Sequence, residues 1–336
     1  MQPSAAQNRS SAPAPIDSLA GDVQYYLTLE PRQLPSRYLY DPLGSALFEA
    51  ICELPWYRIT TVERRLLQRH GREIFAHADP LSMLVELGPG SGDKLAALIT
   101  AGGPRVPRLA VHLVDVSAAA LDLATRTLAA LDGPGLRVLP HQATYESGLV
   151  EAMADRPSDD DPGRGAGRAL ALFLGSNIGN FDPPGADAFL LGVRASLASG
   201  DTLLIGTDLV KPEAELLLAY DDPLGVTAAF NRNLLVRINR ELGANFDVGA
   251  FSHRALWNAA QSRVEMHLVA ARAQHVHIPG ASLEVAFQAG ESIWTESSYK
   301  YRPEQVVEML ERAGFTRVAQ WLDETDGFAL TLVEAD

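Results

Sequence analysis

Apolar positions recur at helical spacing in the first part of the chain. Asp17 to Thr28 predicts a short amphipathic helix, and Ser45 to Leu54 a second one that Pro55 stops. Thr61 to Ala78 predicts a third, carrying Val62, Leu66, Leu67, Ile74 and Phe75. The pattern then changes. Met83 to Leu87 is a short apolar strand, followed by Gly88-Pro89-Gly90-Ser91-Gly92 and a helix from Lys94 to Ala101. Strands over Leu109–Val114, Leu136–Leu139, Ala169–Leu174 and Asp201–Thr207 follow, with helices over Ala118–Leu131 and Ala186–Leu197 between them. Short apolar strands alternating with helices predict a parallel, doubly wound α/β sheet.

Beyond Lys211 the alternation lapses. Glu213–Tyr220 and Val226–Arg240 read as helices, and Val264–Val269, Ala273–His277 and Leu283–Ala286 as antiparallel strands. Arg302–Ala313 is a helix with Pro303 in its first turn, ended by Gly314. Val318–Leu322 and Phe328–Val333 read as a closing antiparallel pair at the sheet edge. The expected architecture is a nucleotide-type sheet interrupted by an inserted lobe, which the N-terminal helices join. Met1 to Pro15, rich in Ala, Pro, Ser and Gln without an apolar run, predicts a loose tail, and Asp155–Arg168 a polar loop.

Composition narrows the function classes. The 336 residues are 47% hydrophobic, and 28 basic against 42 acidic side chains give a net charge of −14. An acidic surface without a dense Lys/Arg tract repels phosphate backbones, so no nucleic-acid partner is expected. No run of about 20 apolar residues is long enough to cross a membrane, and a cytoplasmic location is expected. The single cysteine, Cys52, lies in an apolar run, reads as a structural thiol and leaves no cysteine-built metal site. His275 and His277 share a strand face but lack a third ligand, and no metal is expected.

Candidate chemistry begins at the glycine turn. Glu86-Leu87-Gly88-Pro89-Gly90-Ser91-Gly92 follows a strand and opens a helix, where glycines admit close approach and free N–H groups face a ligand. The spacing is G-x-G-x-G rather than the dinucleotide G-x-G-x-x-G. Asp115, at the end of the next strand, is placed to accept the two hydroxyls of a ribose. Turn and acid together resemble S-adenosylmethionine (AdoMet)-dependent methyltransferases rather than NAD enzymes.

Longer segments make the resemblance specific. They are Tyr40 to Phe48, Leu54-Pro55-Trp56-Tyr57, Glu86 to Lys94, Phe173 to Asn180, Gly206 to Lys211, Ala219 to Asn231, Val264-Glu265-Met266, and Thr295 to Tyr301. In this order the chain resembles the L-histidine Nα-methyltransferases of ergothioneine biosynthesis. The resemblance implies a Rossmann-like AdoMet methyltransferase sheet, α/β, with an inserted second substrate-binding lobe. Residues 19–61 and 211–299 would form that lobe, residues 62–210 and 300–336 the AdoMet-binding domain, and residues 1–18 the tail. It also implies AdoMet held by Gly88, Gly90, Lys94, Asp115, Thr144 and Tyr145, and free histidine held through carboxylate and amine by Tyr57, Asn180 and Tyr220. Glu296 and Ser298 would read the imidazole, with Met266 against the ring.

These residue types suit the task. Phenols and an amide hold a zwitterion without a competing charge, while a carboxylate and a hydroxyl can serve the two ring nitrogens. Taken singly, each has a plainer reading: Tyr57 and Tyr220 as core aromatics, Asn180 as a turn residue, Met266 as core filler, Glu296 and Ser298 as solvated strand positions. Where the family commonly has Asp-Phe at the adenine position, this chain has Thr144-Tyr145. That exchange predicts looser cofactor binding. The implied activity is three successive methyl transfers to the α-amine of histidine, giving hercynine, by a monomer. Tyr40, or a water held by Tyr57 and Asn180, is the candidate proton acceptor. Another aromatic amino acid as substrate, an NAD(P) oxidoreductase and a non-catalytic binding module are the competing readings.

Overall fold

A computed structural model describes residues 18–103, 109–131, 136–156 and 167–336. The expected tail and most of the expected loop Asp155–Arg168 lie outside those residues. Ser18 caps helix α1 (Leu19–Tyr26), accepting the N–H of Gly21. The two-residue strand β1 (Arg32–Gln33) follows, then α2 (Pro42–Cys52), which starts three residues earlier than the apolar spacing predicts. Asp41 explains the early start, because its carboxylate caps Gly44 N and Pro42 occupies the first turn. Helix α3 (Ile59–His77) leads into the alternating units: β2 (Leu81–Leu87), α4 (Asp93–Gly102), β3 (Ala110–Asp115), α5 (Ala118–Ala129), β4 (Arg137–Gln142), α6 (Tyr145–Ala154), β5 (Arg168–Phe173), α7 (Pro183–Ser196) and β6 (Thr202–Asp208).

The inserted segment holds α8 (Glu213–Tyr220), α9 (Val226–Leu242), β7 (Phe251–Asn258), β8 (Arg263–Ala270), β9 (Gln274–Ile278), β10 (Leu283–Phe287) and β11 (Ser292–Tyr299). Helix α10 (Pro303–Arg312) and strands β12 (Phe315–Asp323) and β13 (Phe328–Ala335) return to the main sheet. That sheet has the order β12-β13-β6-β5-β2-β3-β4, parallel from β6 to β4, with β13 antiparallel to β6 and β12 antiparallel to β13. The expected closing pair is therefore present. A second sheet, β1-β11-β8-β7, and the β9–β10 hairpin belong to the insertion, and β1 brings the N-terminal segment into it. Strands β7 and β11 and helix α6 were not among the elements that the apolar pattern predicts.

Residues of β2 and β5 point alternately to two apolar layers. Met83, Val85, Ala171 and Phe173 join Leu149, Leu190 and Val306 on one face. Leu84, Leu170 and Leu172 join Leu67 and Leu98 on the other. The second layer does not stop at the sheet. It continues without a break through Tyr57, Phe230, Leu234 and Met266 to Phe287, so the insertion and one sheet face share one core.

Candidate functional site

The C-terminal ends of the parallel strands meet the insertion at a cavity. Its wall on the N-terminal side is aromatic. Tyr40 sits with its ring centroid 5.5 Å from both Phe48 and Phe230, and Tyr57 lies 6.1 Å from Tyr220. Burial pushes the phenols of Tyr40 and Tyr57 well above their ordinary value, so both stay neutral hydroxyls at neutral pH. The floor is the turn after β5, where Gly175, Ser176, Asn177 and Asn180 line the space. Ser176 adopts φ 57°, unusual for a residue with a side chain, and its hydroxyl accepts the N–H of Asp208 at 2.9 Å. Tyr40, Tyr57, Asn180, Tyr220, Met266, Glu296 and Ser298, far apart in the chain, all line this one cavity.

The far wall comes from β8 and β11. Thr295 is a bulge residue: Trp294 pairs with His267 and Glu296 with Met266, leaving Thr295 over, and its hydroxyl donates to Met266 O at 3.0 Å. Bulges redirect the side chains that follow them, and here Glu296 and Ser298 both reach the cavity. Burial raises the Glu296 carboxyl to about 7, with Lys300 opposing the shift. Tyr220 is fixed from behind, since His253 Nε2 lies 2.7 Å from its carbonyl oxygen and Asn231 Nδ2 lies 2.9 Å from His253 Nδ1.

Lys300 was not among the expected site residues. It is 2% exposed, and its Nζ donates to Tyr220 Oη at 2.8 Å and Ser298 Oγ at 2.9 Å and pairs with Asp208 Oδ2 at 2.9 Å. Lysines are rarely buried, so residue type argued for a surface position; the position inside Thr295–Tyr301 was the available signal.

A second cluster surrounds the glycine turn. A Cβ on Gly88 would stand 2.9 Å from Asn177 Nδ2 and 3.0 Å from Tyr145 Oη, and its φ of 74° also favours glycine. Asn177 thus borders both the turn and the cavity. Lys94 Nζ pairs with the fully buried Glu63 at 3.1 Å, and Glu63 also accepts the N–H of Gly175 at 2.8 Å. Glu63, from α3, is a further residue that no motif singled out. Asp115 accepts Ser117 N at 2.8 Å at the end of β3. Thr144 is the N-cap of α6: its Oγ1 accepts Ser147 N at 3.3 Å and lies 3.0 Å from Ser147 Oγ. Gly90, at φ 54°, lies under Glu49 of α2.

The sequence profile of the family described as histidine-specific methyltransferase, SAM-dependent, matches residues 19–335. The chain belongs to that family. It is 41% identical over 97% of its length to the histidine N-alpha-methyltransferase of Mycolicibacterium smegmatis, covering 97% of that protein. It is 42% identical over 94% to that of Mycobacterium tuberculosis, covering 94%. A more distant relative, the L-tryptophan methyltransferase trpM of Psilocybe serbica, is 27% identical over 91% of this chain and 89% of its own.

The methyltransferase has a glycine turn that suits a SAM-type ligand. Both carboxylate oxygens of Glu86 are buried without a hydrogen-bond partner, which matches a ligand able to donate. Lys94, two residues after the last glycine of the turn, is paired to Glu63. Among the described residues, no group of three or more His, Cys, Asp or Glu side chains is placed to hold a metal ion, and no helix is long and apolar enough to cross a membrane.

Proposed function

We propose that this enzyme transfers methyl groups from AdoMet to the α-amino nitrogen of free L-histidine, three times in succession, giving hercynine for ergothioneine biosynthesis. The observation that carries the reading is the one cavity that Tyr57, Asn180 and Tyr220 line together with Glu296, Ser298 and Met266. Phenols and an amide suit the carboxylate and amine of histidine, and a carboxylate and a hydroxyl suit its ring nitrogens. We assign Tyr57, Asn180 and Tyr220 to the carboxylate and amine. Glu296 accepts an imidazole N–H, Ser298 serves the other ring nitrogen, and Met266 packs on the ring face. Residues 19–61 and 211–299 act as the substrate-binding lobe, and residues 62–210 and 300–336 as the AdoMet-binding domain. We further propose that the enzyme acts as a monomer in the cytoplasm.

Gly88 and Gly90 leave room for AdoMet against the turn, Asp115 accepts its ribose hydroxyls, Thr144 and Tyr145 border its adenine, and Lys94 carries the charge beside it. Bound AdoMet supplies a methyl already activated by the sulfonium, so the protein need not polarise it. The chain's own tasks are alignment, exclusion of water and removal of protons. An amino-acid amine is mostly protonated near pH 7 and must lose a proton before each transfer. The raised phenol of Tyr40 opposes its service as a base. That favours the other route, in which Tyr57 and Asn180 hold a water that carries the proton out. Tyr40 then orients and shields.

Mass spectrometry of the purified protein with AdoMet and each of the twenty amino acids in turn tests the reading. A product about 42 Da heavier from histidine alone, preceded by species about 14 and 28 Da heavier, is expected from three methyl-for-hydrogen exchanges. Turnover of tryptophan or tyrosine but not histidine would overturn the assignment of Glu296 and Ser298, and absence of any turnover would leave a binding module.

A further inference from the structure

The Lys300 ammonium has three hydrogens and three partners: Asp208 Oδ2, Tyr220 Oη and Ser298 Oγ, all within 2.9 Å. Tyr220 Oη and Ser298 Oγ are themselves 2.8 Å apart, with Tyr220 as the donor. The lysine and the two oxygens therefore form a closed triangle. An ammonium can only donate, so each oxygen gives Lys300 a lone pair. One hydrogen lies between the two oxygens and the other is left for the cavity. With Tyr220 donating to Ser298, the serine oxygen accepts twice, and only its O–H remains free.

Resting on the reading of this cavity as the amino-acid site, we infer that Lys300 is a positioning residue that turns Ser298 into an obligatory hydrogen-bond donor. The pocket then selects a ring with a lone pair at that edge and an N–H at the edge facing Glu296: a neutral azole. A ring protonated on both nitrogens sets N–H against O–H. An indole or a phenyl ring leaves the Ser298 hydrogen unpaired in a buried place, which is the kind of mismatch that discriminates strongly. Asp208 completes the device by holding the ammonium, and it has a second cation of its own, Lys211 Nζ at 2.7 Å. Removal of the Lys300 charge therefore leaves Asp208 paired.

The test is a double-mutant cycle on histidine affinity, read by calorimetry with S-adenosylhomocysteine present. Lys300→Met and Ser298→Ala are each expected to weaken histidine about tenfold. The double variant should be no weaker than either single by more than about twofold, because Lys300 acts through Ser298. An unchanged Lys300→Met affinity overturns the inference, as does multiplication of the two losses to about a hundredfold. S-adenosylhomocysteine binding equal to wild type shows that the variants are folded. Should Lys300→Met not fold, wild type decides: ¹⁵N spectra of bound ring-labelled histidine are expected to show one protonated and one bare nitrogen, and a doubly protonated ring overturns the inference. Wild-type protein that neither binds nor methylates histidine overturns the functional reading itself, a result distinct from any of these.

Discussion

At Glu86 burial and function pull against each other. The carboxyl is fully buried without a hydrogen-bond partner, and burial raises it from 4.5 to about 8, with the Lys94 charge only partly compensating. The unfolded chain releases this proton near 4.5 and the native chain near 8, so the native state binds the extra proton in between. Stability therefore falls as pH rises across that window. Glu86→Gln removes the slope. Its melting temperature should overtake wild type progressively from pH 5 to pH 8, and S-adenosylhomocysteine should raise it less than it raises wild type. Parallel melting curves across that pH range would refute the account. The same residue was legible in the sequence as part of the glycine motif, but its lack of a partner was not. Lys300 was illegible for a related reason: residue type places a lysine outside, and only packing by Asp208, Tyr220 and Ser298 brings it in.

Among the elements, α6 shows what limits a reading from apolar pattern. Its sequence holds Gly148 mid-helix, a residue that disfavours helices by about 1 kcal/mol, so no helix was expected there. The structure gives the reason: a Cβ at Gly148 would collide with the Val114 side chain, and the glycine lets α6 lie close on β3. Strands β7 and β11 escaped for another reason, since each mixes polar and apolar residues and β11 carries a bulge that breaks the period of two. The inner parallel strands β2, β3, β5 and β6, buried on both faces, were legible because they are largely apolar runs. Helix α6 also offers a test of the adenine position. Thr144→Asp keeps the N-cap, since aspartate caps as well as threonine, and adds a carboxylate. AdoMet affinity measured by calorimetry should rise several-fold, whereas Thr144→Ala, which loses the cap, should cost roughly 1 kcal/mol of stability. Equal affinity in Thr144→Asp and wild type would remove this residue from the cofactor contact.

For the whole molecule, the decisive joint is Asp41. Its buried carboxylate caps Gly44 N and accepts from Asn233 Nδ2 and Arg240, each at 2.7 Å, tying the start of α2 to α9. Asp41→Ala strands those donors and should destabilise the protein by roughly 2–4 kcal/mol in urea denaturation, a sum over several lost bonds. The Asp41 pKa is lowered from 3.8 by those partners, chiefly Arg240 against the opposing effect of burial. Its stabilisation is therefore present above the ordinary carboxylate range and fades as pH falls through the lowered value, where variant and wild type should converge. Failure to converge in acid would point to packing rather than charge.

The order of the motifs along the chain made the cavity's residues recognisable in the sequence; the fold's return of the N-terminal segment onto the insertion brings Tyr40 and Tyr57 to the cavity, and the turn after β5 brings Asn180. The core shared by that insertion and one face of the main sheet has a practical corollary. Phe230, Leu234 and Met266 belong to the same apolar continuum as Leu84 and Leu172, so no seam exists along which the lobe can be lifted out. Grafting a relative's lobe onto this sheet would exchange half of a common interior at once. A new substrate range is better sought by single replacements around the cavity than by swapping the segment as a cassette.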